Sequence, residues 1–449
     1  MFDKILIANR GEIAVRIVRA CRTMGIKTVA VYSTADAHAL HVYLADESVC
    51  IGPPSPRDSY LNIPSIISAA KGTGCQAIHP GYGFLAENST FAKLCRENDL
   101  VFIGPSPEVI DHMGNKSAAR RTMADAGVPV VPGTMEALHS PDEALEAARK
   151  VGWPIMIKAS SGGGGKGMRV SQSEDDFTET FGIAQRESVN AFGDNSMYLE
   201  RAVMNPHHIE IQIIADTHGN VVSLGERDCS IQRNHQKMIE ESPSPLLTDE
   251  VRQHMSDDAV RAARAVGYTS AGTIEFLMDH DLNYYFMEMN TRIQVEHPVT
   301  EAVARVDLVR EMIRVAAGEK LSFRQDDIVF SGHAIECRIN AEQPEKNFMP
   351  SPGKILQMHL PGGNGVRVDS ATYDGFEVTP YYDSMIAKII VRASDRREAI
   401  AKMSTALDEM VIVGVNTNLD FQYSILQNET FIAGETDTGF IAKFLKGEA

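Results

Sequence analysis

Residues 4–33, KILIANRGEIAVRIVRACRTMGIKTVAVYS, decide the fold class. KILIAN is a short apolar run, EIAVRIVRACRTMG places apolar residues at helical spacing and stops on Gly25, and KTVAVYS is a second apolar run. Strand, helix and strand in succession make a parallel α/β unit. The alternation continues through IPSIISAAKGTG, QAIHP and LVFIGP, so residues 1–112 are expected to form one parallel domain.

Beyond it, a connecting helix over 113 to about 130 should stop in AGVPVVPG, where Pro129 and Pro132 forbid further helix. A smaller segment, about 131–204, precedes the alternating strands HIEIQIIA and GTIEFLMD of 205–330. Residues 331–449 mix short strands with a helix around RREAIAKMSTALDEM. A chain of 449 residues exceeds one core, so several domains are expected.

Composition narrows the function. No apolar run approaches the ~20 residues of a membrane span, and a net charge of -17 argues against a general nucleic-acid binder. MFDKILIANRGE carries Asp3, Lys4 and Arg10 where a signal peptide would have a basic start and an apolar stretch, so the cytoplasm is expected. The six cysteines form no CxxC pair and read as reduced, structural thiols.

Several stretches carry the polar chemistry. In PIMIKASSGGGGKGMRVS, residues 154–171, two short strands flank a glycine run, which makes the run the loop of a hairpin. Glycines let backbone N–H groups approach an oxygen-rich anion, and Lys158 and Lys166 add positive charge. The loop matches neither GxxxxGK[ST] nor GxGxxG, so a flexible turn and a phosphate-binding lid both stand as readings of it.

In TIEFLMDHDLNYYFMEMN, a turn centred on Asp281 and Leu282 sets Glu275 opposite Glu288, with Asn290 on the same face. This is either a solvated pair or a hard-oxygen site for Mg²⁺ or Mn²⁺ bridging nucleotide phosphates. NTRIQVEHP follows, and alternation puts Arg292, Gln294 and Glu296 on one face, suited to a small anion that is both held and deprotonated.

ERDCSIQRNHQK, residues 226–237, reads as too polar for a core segment: a solvated loop or a set of nucleotide and anion contacts. His207 and His208 lack a third ligand at zinc spacing, and one of them suits a hydrogen bond to ribose or phosphate. In HPGYGFLAEN, Gly81 and Gly83 flank Tyr82 in a tight turn expected to expose the ring, as a turn or a ligand contact.

With ANRGEIAVRIVRA, IHPGYGFLAEN, IKASSGGGGKGMRV, ERDCSIQRNHQK, MEMNTRIQVEHPVTE, ECRINAE and YYDSMIAK in this order, residues 2–445 resemble the biotin carboxylases of the ATP-grasp superfamily. The resemblance is closest to the free-standing subunit of bacterial acetyl-CoA carboxylase. It implies a Rossmann-like N-terminal domain (1–112), an ATP-grasp domain (113–330) with a mobile glycine-rich lid at about 131–204, and a mixed α+β C-terminal domain (331–449). It also implies the reaction: bicarbonate attacks the γ-phosphate of MgATP, and the carboxyphosphate formed delivers its carbon to N1′ of carrier-bound biotin. The released phosphate serves as the base for N1′.

By the same resemblance, ATP is contacted by Lys116, Lys158, Gly164, Gly165, Glu200, Arg201, Ala202, Val203, His208, Gln232, His235 and Leu277, with Glu275 and Glu288. Glu275, Glu288 and Asn290 hold Mg²⁺ or Mn²⁺. Bicarbonate lies among Lys237, Arg292, Gln294 and the N–H of Val295, with Glu296 as its base. Arg338 stabilises the enolate form of biotin, and Tyr82 and Asp383 line the biotin side. Two departures stand out: small Ala202 and Val203 on the adenine side, and Asn364 where the subunit usually has an aromatic at its dimer contact.

The implied partners are a biotin carboxyl carrier protein, carboxyltransferase subunits and a second copy of the chain, with no nucleic acid and no membrane. No AMKM biotinylation site occurs, so carrier and transferase are expected on separate polypeptides. The final acceptor is acetyl-CoA, for fatty acid synthesis, or alternatively pyruvate or propionyl-CoA. A nucleotide-binding regulator without catalysis would lack a catalytic group, whereas Lys237, Arg292, Glu296 and Arg338 are all present.

Overall fold

The structure is a computed structural model that describes residues 1–134, 136–159 and 168–448. Five parallel strands stand in the spatial order Glu47–Gly52, Lys27–Ser33, Lys4–Ile7, Ala77–His79 and Val101–Phe102. Apolar side chains leave both faces, as a sheet covered on both sides requires. Ile5 and Ile7 share a core with Ile13 and Ile17 of helix Gly11–Thr23 and with Ile214 and Leu308 from beyond the domain. Leu6 and Val29 pack the other way, against Ile66 and Phe91.

The winding of this sheet reverses between Lys4–Ile7 and Ala77–His79, where a crevice opens at the carboxyl ends of the strands. Asn9 bridges the two loops there, its Nδ2 donating to the carbonyls of Pro80 (2.6 Å) and Tyr82 (2.7 Å). Gly81 has φ +62°, and a Cβ on it would stand 3.0 Å from Asn9 Nδ2, so the turn needs glycine there.

Met168–Ser171, Ile155–Ala159 and Met197–Arg201 form a three-stranded antiparallel sheet. PIMIK and MRVS do pair as antiparallel neighbours, Lys158 facing Met168. Residues 160–167, with Gly164 and Gly165, lie outside the described residues.

The third sheet has eight antiparallel strands in the order Tyr284–Asn290, Ser270–Met278, His207–Ala215, Val221–Arg233, Gln236–Ser242, His333–Asn340, Met385–Ala393 and Val366–Ser370. One sheet thus crosses residue 330, and the second and third expected domains share it.

Three readings need correction. ERDCSIQRNHQK is not a loop: Val221–Arg233 is a strand, buried throughout except at its ends. Its turn is only Asn234 and His235, both with positive φ (+49° and +64°), between the pairs Arg233–Gln236 and Gln232–Lys237. NTRIQVEHP is not a strand: extended pairing ends at Asn290, and a turn leads into helix His297–Ala304. Tyr82 is half-buried, not displayed, because its hydroxyl donates to the buried Glu12.

The hairpin reaches the expected pairing by another route. Its loop is three residues, since Asp279 N–H donates to the carbonyl of Asn283 (2.9 Å) and Leu282 takes φ +63°. That register would miss Glu288 by one residue, but a bulge between Glu275 and Phe276 restores the pairing of Glu275 with Glu288 and of Thr273 with Asn290.

Candidate active site

A cavity of about 1430 Å³ lies where the three sheets meet. The parallel sheet contributes Asn9 and Tyr82, the three-stranded sheet Lys158 and Glu200, and the large sheet Lys237, Glu275 and Arg338. Every expected site residue that the structure describes lines it: Lys116, Arg201, Ala202, Val203, His208, Gln232, His235, Leu277, Glu288, Asn290, Arg292, Gln294, Val295, Glu296 and Asp383 join those already named.

Its centre is an alternation of charges. Lys237 Nζ donates to Glu210 (2.6 Å), Glu296 (2.7 Å) and Glu275 (3.0 Å). Burial alone would lower this ammonium, but Cys229 and the three carboxylates hold it well above its ordinary range. Arg338 donates to Glu240 (2.6 Å) and to the second oxygen of Glu296 (2.9 Å). Glu296 is therefore clasped between two cations. Burial pushes its carboxyl up, yet Lys237 and Arg338 pull it below the usual value, so it is an ionised acceptor at neutral pH.

Beneath this layer lies Arg227, with no exposed surface. It donates to Glu210, to Gln212 (2.7 Å), Thr300 (2.9 Å), Thr273 (3.2 Å) and Gln294 (2.6 Å). Gln294 in turn donates to Glu275 (2.7 Å), as does Asn290 (2.7 Å), while His208 Nε2 stands 3.1 Å from the other oxygen of Glu275.

Sequence reasoning missed Glu87, Glu210 and Glu240, and gave Arg227 no role beyond its place in ERDCSIQRNHQK. Glu87 accepts from Arg292 Nε (2.8 Å) and Thr291 N–H (2.9 Å), turning the guanidinium towards the parallel domain. Glu210, Glu240 and Arg227 supply the charges around Lys237 and Arg338. Glu87 did stand inside the HPGYGFLAEN motif, but no spacing ties it to a residue 205 positions away.

At the end of the cavity formed by the three-stranded sheet, Lys158 pairs with Glu200, which also faces Arg120 at 3.7 Å. Lys116 lies 3.6 Å from Glu288 with both side chains well exposed. Glu275, Glu288 and Asn290 line one cavity with hard oxygens of the kind Mg²⁺ or Mn²⁺ takes, although Lys237 donates to Glu275 (3.0 Å) and Arg292 to Asn290 Oδ1 (2.9 Å), bonds that a metal would replace. His208, Glu210 and Glu275 also bring donor atoms within 4.8 Å of one another, but Lys237 already bonds both carboxylates of that group.

A switch-point crevice joined to an antiparallel sheet lined with cations and carboxylates is suited to an anionic ligand with a cation beside it. Residues 1–110 match the biotin carboxylase N-terminal domain, 115–324 the carbamoyl-phosphate synthase L chain ATP binding domain, and 336–443 the biotin carboxylase C-terminal domain. The chain is 57% identical to biotin carboxylase 1 of Bacillus subtilis, covering 99% of each. It is 52% identical to a pyruvate carboxylase subunit of Methanothermobacter thermautotrophicus, over 100% of this chain and 91% of that one. It also superposes, with TM-score 0.91 and 49% identity over 99% of this chain and 98% of the other, on the biotin carboxylase domain dimer of Hydrogenobacter thermophilus 2-oxoglutarate carboxylase, solved with MgADP, ADP and bicarbonate. The chain belongs to the biotin carboxylase family. Among the described residues no helix is long and apolar enough to cross a membrane.

Proposed function

We propose that this enzyme carboxylates biotin on a biotin carboxyl carrier protein with ATP and bicarbonate, in the cytoplasm. The observation that carries the reading is Glu296, an ionised carboxylate held between Lys237 and Arg338 at the heart of the cavity. Lys237 and Arg292 attract bicarbonate, Gln294 and the Val295 N–H orient it, and Glu296 removes its proton. The bicarbonate oxygen then bonds to the γ-phosphorus as the bond to ADP breaks, giving carboxyphosphate. Its carbon passes to N1′ of biotin, and the departing phosphate takes the N1′ proton. Arg338 meets the negative charge on the ureido oxygen, with Tyr82 and Asp383 beside the ring.

Glu275, Glu288 and Asn290 would hold Mg²⁺ or Mn²⁺, which would offset charge on the phosphates. Lys116, Lys158, His208, Gln232 and His235 take the nucleotide's polar groups, and Glu200 to Val203 with Leu277 its base. The expected contacts of Gly164 and Gly165 with the phosphates fall outside the described residues. The three-part division at 112 and 330 goes with these roles, although strands 333–393 complete the central sheet.

Carboxyltransferase subunits receive the carboxyl group, and acetyl-CoA is the acceptor. The M. thermautotrophicus relative favours pyruvate as a second reading. A homodimer is supported by the domain dimer of the 2-oxoglutarate carboxylase structure, with exposed Asn364 leaving its contact less apolar.

Glu296→Ala tests the core of this. It should abolish bicarbonate-dependent ADP release while MgATP affinity stays within about twofold. Loss of nucleotide binding would remove Glu296 from the role of base.

A further inference from the structure

The turn between Asn290 and helix His297–Ala304 carries Arg292, Gln294 and Glu296, yet it belongs to no strand. Something else must fix its peptide planes. Two side chains with no exposed surface stand behind it, His297 and Lys388. His297 Nδ1 lies 2.8 Å from the carbonyl oxygen of Gln294, which the His297 backbone N–H meets only at 3.4 Å, and Lys388 Nζ donates to the carbonyl of Val295 at 2.5 Å. Lys388 is itself anchored by Glu12 at 3.1 Å, the carboxylate that also takes the Tyr82 hydroxyl.

The His297 contact has a directional consequence. A carbonyl oxygen only accepts, so Nδ1 carries the ring proton. Nε2 has no hydrogen-bond partner among the described residues; Glu301 is 3.9 Å away. Burial, with Lys388, Arg16 and Arg367 nearby, keeps the ring neutral by pushing its pKa well down. The Gln294–Val295 peptide is planar and trans, so holding its C=O from behind turns the Val295 N–H the opposite way. No described residue accepts from that N–H, and Val295 lines the cavity.

We propose that His297 is a positioning residue for bicarbonate: its Nδ1–H grips the Gln294 carbonyl and so aims the Val295 N–H, with the side chains on either side of it, at the anion. The inference rests on the reading that bicarbonate is bound at Val295. His297 touches neither substrate, so it acts on bicarbonate through the backbone alone.

Two amides separate this role from mere packing. In His297→Asn the Nδ2–H stands where the imidazole Nδ1–H stood, whereas in His297→Gln the amide nitrogen falls near the position of Nε2. Both fill the buried site with a polar side chain, so stability alone does not distinguish them. Steady-state ADP release by the full chain, with free biotin, gives KM for bicarbonate and for ATP. His297→Gln should raise the bicarbonate KM roughly tenfold with the ATP KM within about twofold, and His297→Asn should hold both within about threefold of the parent. The proposal is overturned if the two variants behave alike, or if the ATP and bicarbonate KM rise together. Lys237→Met serves as the control on the site itself. If it leaves bicarbonate dependence unchanged, the placement of bicarbonate is wrong; if it raises the bicarbonate KM while His297→Gln does not, only the positioning role fails.

Discussion

Replacing Arg227 by methionine removes the guanidinium under the active site while keeping most of its apolar stem. Glu210 would lose its arginine but keep Lys237 at 2.6 Å, so its charge is not fully orphaned. Breaking a buried pair from one side costs about 3–5 kcal/mol, and the remaining lysine argues for the lower end. Gln212 and Gln294, which accept at 2.7 and 2.6 Å, lose a charged donor, adding about 1 kcal/mol. A loss of about 4 kcal/mol follows. With an unfolding entropy of about 2.1 cal/mol/K per residue, a chain of 449 residues unfolding as one unit should melt about 4 °C lower. Because Gln294 loses its anchor, the bicarbonate KM should rise about fivefold. Arg227→Lys should recover less than half of either effect, since an ammonium lacks the planar fork that meets Glu210 at Nε and Gln294 at Nη2. Calorimetry and bicarbonate titration of ADP release check both. A methionine variant melting within about 1 °C of the parent, with unchanged bicarbonate KM, would refute the view of Arg227 as an organising charge.

Glu87→Gln keeps the shape but weakens a charge-assisted bond whose carboxylate is 38% exposed; about 1 kcal/mol, or a fivefold rise in bicarbonate KM with little change in melting, is expected from kinetics and calorimetry. Lys116→Ala breaks a pair that is 80% and 40% exposed, so stability should move by less than about 0.5 kcal/mol, while the ATP KM rises at least about tenfold if Lys116 meets phosphate. Asp36 is buried against a two-pronged bond from Arg10 (2.6 and 2.7 Å) and the Tyr60 hydroxyl (2.5 Å); burial pushes its carboxyl up, but these donors hold it below its ordinary value. A depressed carboxyl stabilises the fold above its unfolded pKa and loses that contribution as pH falls through the folded one. Asp36→Asn should therefore destabilise the protein at pH 7, and the deficit should shrink below about pH 4, measured by denaturant unfolding across pH. An equal deficit at both ends would deny the ion pair its role.

What could be read from sequence follows from which interactions are local. Period-2 and helical spacing exposed the parallel domain and the flanks of the glycine run, because each strand's burial is written along itself. The Glu275–Glu288 pairing was legible too, although a symmetric two-residue turn was the wrong reason. No residue in EFLM or YFME announces the bulge that compensates the three-residue loop. ERDCSIQRNHQK misled because a run of charges reads as solvated unless its partners are known. Arg227 finds its acceptors 15 to 73 positions away, on other strands, on the turn before helix His297–Ala304 and on that helix, and only their convergence makes it cheaper to bury than to expose. Arg292 shows the converse: alternation placed it correctly in the cavity, while the backbone that carries it is a turn. A turn has no ladder to hold its peptides, and beside one long backbone bond, His297 N–H to the Gln294 carbonyl at 3.4 Å, they are held by side chains from the neighbouring helix and from strand Met385–Ala393. Nothing in VEHP distinguishes a histidine that packs from one that holds a carbonyl; the 2.8 Å between Nδ1 and the Gln294 oxygen does.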